Sequence, residues 1–134
     1  MELKKSYKGF FIWMVAFCAG MLVLGLLPIQ DTALLIRVIL NGMVLGIVLL
    51  AFIIYKTGYI YWYNGITYEN ACEAGEERRN AYARKHFKHF LVAEIILLVY
   101  SCLAQVLCVS YWVDTVVFTV GIVVAAITTM RYKL

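Results

Sequence analysis

Two charged residues stand inside otherwise apolar runs of this chain, Arg37 in the run 33–55 and Glu94 in the run 90–109. Glu94 lies about 6 Å inside the start of its run at a rise of ~1.5 Å per residue. An ionised carboxylate facing hydrocarbon is costly, so it has to face other helices or reach an interface. Held there, it can act as a proton or cation site. The plain alternative is a structural residue, paired with Lys8 or Arg131 or hydrogen-bonded to Thr128 or Thr129. Arg37 lies about 8 Å from the opposite end of its own run, so the two charges are about 15 Å apart along the helix direction and cannot pair directly. At Arg37's level stand Gln105 and Thr119, with Asn41 one turn deeper and Asp31 above. Such a polar layer either ties helices together or lines a cavity. An arginine that snorkels to the headgroups is the plain alternative.

The remaining reactive side chains carry weaker signals. His86 and His89, three apart on a helix, can share a metal ion with Cys72 or a glutamate. Lys85 and Lys88 beside them repel a cation, so a solvated basic face is expected and no metal or other cofactor is assigned. Cys102 and Cys108 are about 240° apart around a helix and no C-x-x-C occurs, so the cysteines read as small fillers of helix cores. There is no H-E-x-x-H, P-loop or G-x-S-x-G, and no catalytic residue is assigned. The net charge of +4 is explained by membrane orientation, without a nucleic-acid groove.

The elements that would position these residues follow from composition. Of 134 residues, 64% are hydrophobic and 15% charged, with a mean hydropathy of +0.85. That leaves too little polar surface to coat a water-soluble fold, and it excludes disorder and a disulfide-stapled secreted domain. Four apolar runs, 9–27, 33–55, 90–109 and 115–130, each approach the ~20 residues that a membrane-crossing helix needs. The last is the shortest, and Tyr111, Trp112 and Val113 extend it into an interface. The runs lack the alternation of barrel strands. Lysines precede the first run as they would a signal peptide, but its apolar stretch is too long for one, so it reads as a retained helix.

Of the 20 charges, 18 lie outside the runs. Lys4, Lys5, Lys8, Lys56, Arg78, Arg79, Arg84, Lys85, Lys88, Arg131 and Lys133 all fall in the termini or in the segment 56–89, and the two short connections hold no cation. The positive-inside rule then places both termini and the long loop in the cytoplasm. The expected fold is an all-α integral membrane protein with four transmembrane helices in two in-out-in hairpins, one domain over 1–134, and a cytoplasmic helical loop, 56–89, between the second and third.

Both outer turns end in Asp-Thr, Asp31-Thr32 and Asp114-Thr115, expected to cap the helices that follow. In the loop, Tyr59, Tyr61, Trp62 and Tyr63 suit the headgroup level. Asn64-Gly65 then makes a turn; a hairpin pairing 59–63 with 66–68 competes with this reading. Thr67 is a helix cap, and the stretch from Tyr68 toward Phe90 is helical apart from Gly75. Its cations Arg78, Arg79, Arg84, Lys85 and Lys88 are expected to meet anionic lipid headgroups, at up to ~1 kcal/mol each. Gly42 and Gly46, Ala16 and Gly20, and Gly121 and Ala125 mark close helix approaches, within the bundle or between copies.

These features point first to a multi-pass protein of the cell membrane, the inner membrane in a two-membrane cell. It would act without catalysis as a subunit, regulator or scaffold through its loop and a helix face, with the bilayer and a larger membrane protein or a second copy as partners. The alternative is a small oligomeric transporter or channel that uses Glu94 and the Arg37, Asn41 and Gln105 layer.

Overall fold

The computed structural model describes residues 3–134. The order is α1 (Lys8–Gly25), α2 (Thr32–Thr57), a 3-10 turn (Ile60–Trp62), α3 (Tyr68–Glu73), α4 (Gly75–Val106) and α5 (Tyr111–Thr129), with no strand among the described residues. Helices α1, α2, α4 and α5 are each long and apolar enough to cross a membrane.

Local chemistry explains where these helices start and stop. Asp31 caps α2, its Oδ1 accepting from the amides of Ala33 and Leu34 at 3.0 and 3.2 Å. Thr67 caps α3 by accepting from Asn70 N at 3.1 Å. The Asn64-Gly65 hairpin does not form: residues 60–62 make a 3-10 turn and the chain enters α3 directly. Gly75, at φ +76°, breaks the helical path between α3 and α4. From there α4 runs for 32 residues without interruption, about 48 Å at ~1.5 Å per residue. That exceeds the ~30 Å of hydrocarbon, so the charged first part of α4 projects beyond it.

At the turn between α4 and α5 the expected cap is absent. Helix α5 begins at Tyr111, with Ser110 in the cap position and no side-chain cap bond, so Asp114 lies inside the first turn of the helix. Tyr111 and Trp112 are helical residues rather than a lead-in, and this moves Asp114 from an end to a wall of the bundle.

Helix α2 is the central element and packs against α1, α4 and α5. Among the spanning helices, α1 makes its principal contact with α2, and none of its own residues is buried. The close approaches at Gly42 and Gly46 receive Leu24 and Phe17 of α1, and Gly121 faces Leu97. Ala125 is buried, whereas Ala16 and Gly20 are exposed and Gly20 has nothing within 4 Å of where a Cβ would stand. The four cysteines are exposed rather than filling helix cores.

Two apolar clusters stack along the bundle. Val44, Leu97 and Phe118 form one at mid-height between α2, α4 and α5. Ile54, Ile60, Tyr61, Ala71, Tyr82 and Ala83 form the other at the loop end. Both terminal segments are bound to that end. The Tyr61 hydroxyl accepts from Ser6 N and donates to Ser6 O, each at 2.8 Å, and Trp62 Nε1 donates to the same carbonyl at 3.0 Å. Tyr68 donates to the Leu3 carbonyl, and the Tyr132 hydroxyl lies 3.3 Å from His89 Nδ1.

Candidate functional site

The end opposite the loop holds a buried polar cluster built from α2, α4, α5 and the turns between them. Arg37 projects from the second turn of α2 and is 3% exposed. Its Nε lies 2.9 Å from Oδ2 of Asp114, which is fully buried. Its Nη1 donates to Gln105 Oε1, and its Nη2 donates to the Val109 carbonyl at 2.6 Å. That carbonyl is presented by the turn after α4, where Cys108 takes a left-handed conformation at φ +53° and Val109 N returns to Ala104 O.

A second tier surrounds the pair. The Tyr100 hydroxyl donates to Asp114 Oδ1 at 2.9 Å, so the carboxylate is held from both sides. Gln105 Nε2 donates to Asp31 Oδ2 at 3.1 Å, joining the cluster to the cap of α2. This bond, with the amides of Leu34 and Ala33, holds the Asp31 carboxyl below the usual carboxylate range. One turn deeper, Asn41 Nδ2 donates to the Arg37 carbonyl at 2.8 Å and to Ser101 Oγ at 2.9 Å.

Arg37 is therefore fixed inside the protein and does not snorkel to the headgroups. Gln105, Asn41 and Asp31 join it, whereas Thr119 does not: its side chain is exposed and donates to Thr115 O on its own helix at 2.7 Å. Asp114 is the partner that sequence reasoning passed over. Its signal was Tyr111-Trp112, whose inclusion in the helix brings Asp114 to Arg37's depth. The bonds of Arg37 to Asp114, Gln105 and the Val109 carbonyl make the cluster a clamp across three helices. Tyr100→Phe keeps the ring but removes a bond to a charged acceptor. It is expected to cost about 1.5 kcal/mol, readable as a lower midpoint in denaturant titration of the purified protein.

Glu94 is separate from this cluster. It is 8% exposed on α4, on the loop side of Leu97, and its Oε2 is buried without a hydrogen-bond partner. Thr128 and Thr129 donate instead to carbonyls of their own helix, at 2.7 Å each. Lys8 and Arg131 are exposed and neither reaches the carboxylate. The Val44, Leu97 and Phe118 cluster stands between Glu94 and the arginine.

The loop cations also divide. Arg78, Arg84, Lys85 and Lys88 are exposed, but Arg79 is 6% exposed and its Nη1 donates to Ala71 O at 3.1 Å. His86 is buried rather than part of a solvated face: it stacks on Tyr63 with centroids 4.6 Å apart, and its Nδ1 lies 3.1 Å from Tyr82 O. The reason is shared. Positions 79, 82, 83 and 86 fall on one face of α4, the face buried at the loop end. Among the described residues, no group of three His, Cys, Asp or Glu is placed to hold a metal ion.

Comparison of the chain with models of protein families, with curated proteins and with solved structures finds no match in any of the three.

Proposed function

We propose that this chain is a non-enzymatic membrane protein, acting as a subunit, regulator or scaffold through its folded loop and an exposed helix face. Both termini and the loop face the cytoplasm in this reading, as the eleven cations gathered there imply. The observation that carries it is the closed state of the interior. Arg37, Gln105 and Asn41 are bonded across the helices, and Val44, Leu97 and Phe118 pack beneath them. The loop is instead an ordered platform, with Tyr61, Trp62 and Tyr68 holding the N-terminal segment against it. Its outward side presents Glu69, Glu73 and Glu77, all exposed, which suits a basic surface on a larger membrane partner.

Affinity capture of the tagged full-length chain from native membranes tests this. A stoichiometric partner is expected, lost on Glu73→Lys with Glu77→Lys while the variant still folds. Recovery of the chain alone, or with an equal complement from the charge-reversed variant, counts against the platform.

A second reading, a small oligomeric transporter or channel, is favoured by one observation, the unpartnered Glu94 carboxylate. Proteoliposomes loaded with a pH-sensitive dye separate the two. No proton flux above that of empty vesicles is expected, whereas flux abolished by Glu94→Gln would establish transport.

A further inference from the structure

At the loop end of the bundle, where α2 stops, lies an open cleft of about 530 Å³ whose walls include Lys4, Tyr55, Lys56, Gly58, Glu76 and Arg79. This volume is within the range of ordinary small-ligand sites. Three of its side chains are cations and one is a carboxylate, Glu76, which has an interaction of its own.

Arg79 is the unusual member. A buried guanidinium ordinarily has a carboxylate against it, because five N–H donors and a full charge have been taken out of water. Here the side chain is 94% buried by its 6% exposure, yet its protein partner is one backbone carbonyl, that of Ala71. Its Nε is buried with no hydrogen-bond partner. Gly58 lies against that nitrogen. It ends α2 in the left-handed conformation at φ +72°, and even a Cβ added there would stand 3.8 Å from the Nε. The C-terminal end of the α2 dipole opposes an anion here, but a partial charge does not offset three cations. A planar guanidinium in a cleft that two lysines also line matches a phosphate better than it matches water or a metal. Tyr55 at the rim sets the cleft at the depth of lipid headgroups.

We propose that this cleft binds a phosphate group, with Arg79 as the fork that receives its oxygens and Lys4 and Lys56 as flanking charges. The group is carried by an anionic phospholipid or arrives as free phosphate. This is a built site, unlike a diffuse contact of the exposed loop cations with a charged surface, and it stands independently of the platform reading.

The test uses the full-length protein in dodecyl maltoside, with its melting midpoint followed during titration with phosphatidylglycerol, phosphatidylcholine or inorganic phosphate. A saturable rise is expected with phosphatidylglycerol and none with phosphatidylcholine, which lacks net charge. Because Arg79 is buried and its loss can prevent folding, the deciding variant is the exposed pair Lys4→Ala with Lys56→Ala. It should weaken the apparent affinity roughly tenfold or more, while Arg131→Ala with Lys133→Ala, exposed cations outside the cleft, leaves it unchanged. If inorganic phosphate alone gives a saturable rise that the same lysine pair removes, the ligand is free phosphate. If phosphate is silent and the lipid acts, it is a headgroup. The proposal is overturned if neither ligand gives a saturable rise, or if the two double variants respond alike.

Discussion

Asp114→Ala is expected to destabilise the bundle by about 3–5 kcal/mol, the cost of leaving one member of a buried ion pair without the other. The guanidinium of Arg37 would keep Gln105 and the Val109 carbonyl but lose the buried carboxylate 2.9 Å from its Nε. The Tyr100 hydroxyl would lose its acceptor as well. Asp114→Asn should recover little of this, because it restores the shape and not the charge. Removing both charges together, Arg37→Met with Asp114→Leu, should cost far less than either single change, since an apolar pair of similar volume needs no partner. The Asn41 bonds survive in that double variant because they run to the backbone of Arg37 and to Ser101. Unfolding of the purified protein in mixed micelles, followed against the fraction of denaturing detergent, reads each of these variants. A single variant as stable as the wild type would mean that the pair does not hold the helices together.

Gly46→Ala is expected to cost about 2–3 kcal/mol and to move α1 off α2, at the upper end of what overpacking a tight contact produces. An added Cβ would lie 2.2 and 2.3 Å from Cε2 and Cδ2 of Phe17. That ring cannot step aside easily. It is stacked on Trp13 at 5.2 Å and 13°, and Trp13 in turn donates to the Gly46 carbonyl at 3.2 Å. Helix α1 buries none of its own residues, and away from its start, beside Trp62, its contact with α2 is what holds it. The same change at Gly42 meets a terminal methyl of Leu24 at 2.4 Å, which can rotate away, and a smaller loss is expected. Gly20→Ala enters open space and should be neutral. The order Gly46, Gly42, Gly20 in loss of stability, together with a changed Trp13 emission only in the first, checks the packing. Equal losses at all three positions would contradict it.

How far these features could be read from the chain depends on the range of the interaction. Asp31 and Thr67 cap helices as their residue types and positions suggest, because a cap is settled within three residues. The meeting of Arg37 with Gln105 was legible from depth alone, as was the apolar character of the four long helices. Asp114 was not, since its role turned on whether α5 begins at Tyr111 or at Thr115, a shift of one helical turn that a uniformly apolar stretch does not mark. Thr119 stood at a suitable depth and faces away, because depth says nothing of direction around the axis. Arg79 and His86 read as exposed among their charged neighbours and are buried, since their face of α4 is chosen by Tyr82, Ala83 and the aromatic turn packed against them.

Composition and the order of charges thus determined by themselves that this chain has four helices apolar enough to cross a membrane and a cationic loop at one end, because transfer into lipid adds up along the chain without regard to rotation. Tertiary structure alone decided which polar groups meet. Lipid rewards no particular face of an apolar helix, so each helix turns about its axis until its few polar atoms are satisfied. Arg37 forms its ion pair with Asp114 in this way, while Glu94 and Arg79 are among the residues left with a buried atom that has no hydrogen-bond partner in the protein.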